Sequence, residues 1–363
     1  MLVLWAQMAY LSAIKKYTKI LTGFLLAALT AVGSCLLLLW LGVPPLTGAF
    51  LGSTLGYFLL MVLYLQELVN FYPAGRMSLV VLFPYLDKYK SLIAIGFFTA
   101  LGLFAHNFVF WFSDYKITVI RHMIYCMKYD VACFYASLTI VPYLVIFVVA
   151  LEVNFYKAYR KNFDTVLYGG TLTDIQNENR EMGRTLFREL AHVFELQFFV
   201  EVLCVTFLGN FLQASGFDRE MLIIFRYLCM GYCFYVLVKS LIILFLYFDE
   251  RRGALLLSGL FVALSAGLSV LTLPFGIEAY GLGFLLGGAV TAVVGLLLLK
   301  RYLGRLEYQV FCRQPLFYEE PQRIFRQLAA YVETKDARVF ANHKKKEKKQ
   351  PPEDGGKGED LDP

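Results

Sequence analysis

ILTGFLLAALTAVGSCLLLLWLGVPPLTGAFLGSTLGYFLLMVLYLQ, residues Ile20 to Gln66, contains no Lys, Arg, Asp or Glu. A helix needs roughly 20 mostly apolar residues to cross a bilayer, so this run is long enough for two spans. Gly42, Pro44 and Pro45 interrupt it near its middle, where proline removes a backbone donor and ends a helix. The reading is two spanning helices joined by a tight turn. The same test applied outward finds Ser91 to Ser113, Val131 to Leu151, Gln197 to Gly216, Met221 to Phe248, Gly253 to Phe275 and Ala279 to Leu299. The fold class is therefore all-α, a polytopic transmembrane helix bundle with eight complete spans. An amphipathic stub, Leu2 to Tyr17, precedes them in place of a cleavable signal peptide and leads into Lys15, Lys16 and Lys19.

Composition agrees: 58% of the chain is hydrophobic, 17% aromatic and only 17% charged, outside the soluble range. The net charge of +6 does not point to nucleic acid, because the excess sits in loops beside the spans and in a Lys-rich tail. Orientation explains it. Lys15, Lys16, Lys19, Arg76, Lys88, Lys90, the Lys157–Arg188 loop, Arg251 and Arg252 fall on one side, which the charge bias makes cytoplasmic together with the carboxyl end. The seven cysteines form no CxxC pair and have no His at ligand spacing, so they read as small core residues, with no metal and no cofactor implied. A nucleotide-binding loop, HExxH and GxSxG are all missing, which argues against an enzyme.

Between the fourth and fifth spans, FYKAYRKNF places Phe155, Tyr156, Tyr159 and Phe163 among Lys157, Arg160 and Lys161, a pattern suited to the headgroup layer. Thr173 with Gln176 reads as a capping box. Ile175, Met182, Leu186, Leu190 and Phe194 then recur on one helical face. The expected structure is a helix lying on the membrane surface, or a docking surface for a cytosolic partner. From Asn342 the tail is too charged and too rich in Pro and Gly to fold.

An internal repeat links the first spans to the last. Leu25 to Ala31 (LLAALTA) matches Leu260 to Ala266 (LFVALSA), Lys16 falls on Arg251, and Gly48 and Gly52 fall on Gly283 and Gly287. Such small-xxx-small steps let helices approach closely, and parallel repeats are a transporter architecture with a substrate path between halves.

HNFVFWF (His106 to Phe112), SLTIVPYLVIFVVALEVNFYKAYRKNFD (Ser137 to Asp164), FLYFDERR (Phe245 to Arg252) and GRLEYQVF (Gly304 to Phe311) closely resemble the PelG family of Pel exopolysaccharide transporters. That family lies within the multidrug/oligosaccharidyl-lipid/polysaccharide flippase superfamily. The resemblance implies a multi-pass protein of the bacterial inner membrane that exports a Pel-like polysaccharide, by alternating access or as a conduit coupled to a cytoplasmic synthase. Its partners would be the polymer, membrane lipid, a cytoplasmic glycosyltransferase and other Pel-type membrane components. Two further readings are a small-solute antiporter of the same superfamily and a membrane scaffold for a glycosyltransferase. Family members carry about twelve spans in two six-helix lobes, so the sequence is expected to lack about four spans at its start. The expected division is then residues 1–67 as the remnant of the first lobe, 68–90 as a cytoplasmic inter-lobe loop, 91–311 as the complete second lobe with an interfacial segment at 153–195, and 312–363 as a cytoplasmic tail.

Ionisable groups inside spans are costly and mark candidate polar paths. They are His106 and Asn107 in the third span, Glu201 in the fifth, and Arg226 and Lys239 in the sixth, with Glu152 and Asp130 at the ends of the fourth. His106 reads equally as an interhelical hydrogen-bonding group, and the family often carries a charged pair where His106 and Asn107 stand. Glu201 and Arg226 lie toward opposite ends of their spans and are not expected to pair. Lys239 lies ten residues before Asp249, about 15 Å along the helix and near the midplane, and is the leading candidate. Pro142 is expected to kink the fourth span. Tyr156, Lys157, Tyr159 and Arg160 are the interfacial or partner-docking candidates.

Overall fold

The computed structural model describes residues 2–14, 16–72, 83–120 and 123–306. Expectations that rest on Lys15, Arg76, Arg121, Cys312, the side chain of Glu152 or the tail lie outside the described residues. Among those described, eight helices are long and apolar enough to cross a membrane, and the chain is an all-α polytopic bundle. It divides between Val81 and Leu82 into two compact units.

The first unit holds α1 (Leu2–Ala13), α2 (Tyr17–Trp40) and α3 (Pro45–Phe71). Pro45 occupies the first turn of α3, where its missing N–H is not needed, and Gly42 at φ +80° reverses the chain before it. Leu4, Gln7 and Leu11 line the buried face of α1. Gln7 Nε2 donates to the Met61 carbonyl at 3.4 Å, and the Tyr64 hydroxyl ties α3 to the Ile20 carbonyl at 3.0 Å. Trp5, Met8 and Tyr10 are exposed on the other side. The expected amphipathic stub is thus apolar on both faces, and it stops at Ala13. Lys16 and Lys19 belong to the start of α2, where both reach Glu67, at 3.1 and 2.8 Å.

The second unit begins with α4 (Phe83–Trp111), which bends at Tyr89. Residues 83–90, expected in a loop, are helical. A short antiparallel ribbon follows, β1 (Ile117–Ile120) and β2 (Met123–Tyr125), with Ile117 opposite Tyr125. The sequence reading missed it, although ITVI is a β-branched run of the kind that favours strands. The fourth span is α5 (Met127–Leu138), α6 (Val141–Val149), a π-helical turn at Ala150–Phe155, and α7 (Tyr156–Leu167). The fifth is α8 (Leu172–Leu203), a π-helical turn at Cys204–Leu208, and α9 (Gly209–Ala214). The unit closes with α10 (Arg219–Tyr247), α11 (Arg251–Thr272) and α12 (Leu282–Leu303).

The expected surface helix takes a different form. α8 is uninterrupted for 32 residues and continues through its π turn into the membrane segment. Its predicted stripe is present, with Met182, Leu186 and Leu190 buried and Ile175 and Phe194 partly so, but this face packs on α6, α7 and α10 rather than on a bilayer surface. The capping box also moves by one short step. Thr171, not Thr173, caps the helix: its hydroxyl accepts from the Asp174 N–H, and the Asp174 carboxylate accepts from the Thr171 N–H and hydroxyl. Asp174 bonds its capping partner more readily than Gln176 because it is charged and short.

At the centre of this unit lies α10, which packs against α5, α8, α11 and α12. Its apolar window is 78% buried, against at most 44% in the other spans among the described residues, so it is the most enclosed of them. Gly231 makes this possible, since a Cβ there would lie 2.5 Å from the Phe284 ring of α12.

The two repeated helix pairs are built alike but not identically. At the matched positions Gly52 and Gly287, a Cβ would fall 2.9 Å from the Ala31 carbonyl oxygen and 2.8 Å from the Ser265 nitrogen. Gly283 is as tight, against the Ser269 backbone, whereas its match Gly48 has only ordinary contact with Leu38; Gly56 supplies the second close step of the α2–α3 pair. The glycine contact has therefore slipped by one helical turn between the copies.

Candidate functional site

Polar side chains in an apolar bundle must find partners, and the partners they find here surround α10. The first group sits where the fourth span breaks. Thr139 and Ile140 separate α5 from α6, and Pro142 lies in the first turn of α6 with no N–H to donate. The carbonyl of Thr139 accepts from Gln197 Nε2 at 3.0 Å. The Thr139 hydroxyl lies 2.8 Å from Glu201 Oε1 and 2.6 Å from the Ala136 carbonyl, so its one hydrogen is shared between two acceptors, and Gln197 Nε2 donates to that same carboxyl oxygen at 2.8 Å. Gln197 and Glu201 are four residues apart on α8, so both face the break. Glu201 is 1% exposed and Gln197 fully buried. The thiol of Cys229 on α10 is within hydrogen-bonding reach of the carboxyl, and neither Glu201 Oε2 nor Gln197 Oε1 has a well-formed hydrogen bond from a described residue.

A second group joins α4, α5 and α10. His106, fully buried, pairs through Nδ1 with the Tyr129 hydroxyl at 2.6 Å, and its ring lies 4.2 Å from that of Phe284. Asn107 Nδ2 donates to Asp130 Oδ1 at 3.0 Å. Asp130 also accepts from Trp111 Nε1 at 2.9 Å and from the Cys126 N–H at 3.0 Å, so fixed donors replace the water a carboxylate would otherwise hold. Cys133 bridges the Asn107 amide oxygen at 3.6 Å and the Tyr232 hydroxyl at 3.0 Å. Farther along α10, Ser240 pairs with the Tyr143 hydroxyl at 2.7 Å.

His106 and Asn107 thus share one network with Asp130, whereas Glu201 belongs to the other group. Arg226 is exposed on the outer side of α10 and touches neither. Lys239 is half-buried on α10, next to Ser240, with no ion-pair or hydrogen-bond partner among the described residues. Pro142 itself is exposed. On α7, Tyr159 packs on Tyr247 with ring centroids 4.9 Å apart, while Tyr156 and Lys157 are exposed and Arg160 pairs with Asp164 at 3.5 Å. Lys161 reaches Glu178 of α8 at 2.7 Å. The sequence reading did not single out Thr139, Gln197, Trp111, Tyr129, Cys133, Tyr232 or Ser240. Only Gln197, four residues before a Glu inside a span, left a local signal.

No group of three His, Cys, Asp or Glu among the described residues is placed to hold a metal ion. Hydrogen bonding, charge and a surrounding of aromatic rings are what these groups offer chemically.

No curated protein and no solved structure matches the chain. The model of the PelG family, described as "Putative exopolysaccharide Exporter (EPS-E)", matches residues 1–311 of the 363. A multi-pass helical bundle with polar groups held inside it is consistent with that description. The chain belongs to the PelG family of exopolysaccharide exporters.

Proposed function

We propose that this protein works in the inner membrane of a bacterium, with its carboxyl end in the cytoplasm, and moves a Pel-like polysaccharide outward as a cytoplasmic glycosyltransferase makes it. Family membership supports export of an exopolysaccharide. The observation that carries the residue-level reading is Lys239, an ammonium about 15 Å from the Asp249 end of the central helix, half-buried and with no described partner. A charged group at that depth is expensive unless it faces water or a polar substrate. Lys239 is therefore assigned to the polymer path. The repeated α2–α3 and α11–α12 pairs support a protein built from two related lobes, with the first represented by residues 1–67 and the second by 91–311.

The α7 face supplies the side toward the synthase. Tyr156, Lys157 and Arg160 are exposed on one helix beside the protein-packed Tyr159, an aromatic and basic surface suited to headgroups and to an acidic partner. The charge bias of the loops supports a cytoplasmic position for this surface.

Secretion of polymer by cells lacking the native exporter and carrying this chain tests the reading. Lys239→Ala is expected to cut secretion at least tenfold at equal membrane abundance, and Lys239→Arg to keep most of it. Full secretion by Lys239→Ala would remove Lys239 from the path and favour a scaffold that carries nothing itself.

A further inference from the structure

Two buried acceptors, on the side chains that meet the break between α5 and α6, lack a hydrogen bond from any described residue: Glu201 Oε2 and Gln197 Oε1. Glu201 has no cationic partner among the described residues; the titratable groups nearest it are thiols, Cys204 on its own helix and Cys229 and Cys233 on α10. A carboxylate taken out of water and left unpaired is strongly unfavourable, so the site needs one positive charge. Oε1 is already occupied by Thr139 and Gln197, while the two free oxygens belong to side chains one turn apart on α8.

We infer that Glu201 and Gln197 form a binding site for one small monovalent cation, a proton or a sodium ion, held at Glu201 Oε2 and Gln197 Oε1 and closed by Thr139 at the break between α5 and α6. This site is independent of Lys239 and of the polymer. A bound cation neutralises the carboxyl and lets α8 pack against the break. Its loss leaves a bare charge in the bundle and favours opening of that contact to water. Occupancy and the α8 to α5–α6 packing are thereby linked.

The full-length protein in lipid nanodiscs tests this without any transport assay. If the ion is a proton, infrared difference spectra show a carboxylic acid band at neutral pH that shifts in deuterium oxide. That band is absent from Glu201→Gln and unchanged when sodium replaces potassium. If the ion is sodium, the band is absent and the wild-type Tm rises by roughly 2–4 °C per tenfold increase in sodium at constant ionic strength, with no rise in potassium or in Glu201→Gln. Glu201→Gln keeps the shape of the site and is expected to fold. Wild-type protein showing neither the band nor a sodium-specific rise overturns the site, as does a response that Glu201→Gln shares in full. Either result stands whether or not Lys239→Ala affects secretion.

Discussion

Thr139 Oγ1 lies 2.8 Å from Glu201 Oε1 across the break between α5 and α6, its hydrogen shared between that carboxyl and the Ala136 carbonyl at 2.6 Å. Pro142, in the first turn of α6, cannot donate a backbone hydrogen bond; beside it Gln197 of α8 donates to the Thr139 carbonyl and Glu201, four residues on, meets the Thr139 hydroxyl. The interruption of one span is thus satisfied by the polar stripe of the next.

Removing that hydroxyl tests the arrangement. Thr139→Val keeps the volume but leaves Glu201 Oε1 with one donor, and is expected to destabilise the protein by about 1–2 kcal/mol. Unfolding in mixed micelles measures it, with Thr139→Ser expected to restore most of the loss.

Repeat-matched glycines should respond oppositely to the same change. Gly283→Ala forces a methyl group into the Ser269 backbone and is expected to cost about 1–3 kcal/mol by driving α11 and α12 apart. Gly48→Ala meets only side-chain atoms 3.7 Å away or farther and gains helix propensity, so it is expected to be neutral or stabilising by up to about 1 kcal/mol. Equal losses at both sites would show that the glycine contact had not slipped between the copies.

Asp130 anchors three donors from α4 and the start of α5. Asp130→Asn puts an amide group where at least one of those donors points, with an expected loss of about 1.5–3 kcal/mol. Trp111 reports it directly: its fluorescence should shift once the indole N–H loses its carboxylate. An unchanged spectrum together with unchanged stability would show that the network contributes little.

At the head of α8, Thr171→Ala removes the cap while leaving the buried stripe intact. The expected effect is about 1 kcal/mol, confined to faster amide exchange over the first turns of α8. Thr173→Ala, in the position that the sequence pattern favours for the cap, is expected to change nothing there.

The spans were legible because hydrocarbon imposes a simple demand: every backbone group must bond within its own helix, which leaves long windows without charge. The run from Ile20 to Gln66 and the six mostly apolar windows between Ser91 and Leu299 set the helix count and class in that way. Glycine spacing marked the helix pairs that approach closely, since only the absence of a Cβ admits such contact. The sequence could not show that α10 would be the enclosed helix, because its apolarity resembles that of helices facing lipid. Nor could it join Thr139 to Glu201, 62 residues away, or His106 to Tyr129. Hydropathy reports the solvent each residue prefers, a local property. Which polar groups meet depends on how helices rotate and cross, and only their mutual packing decides that.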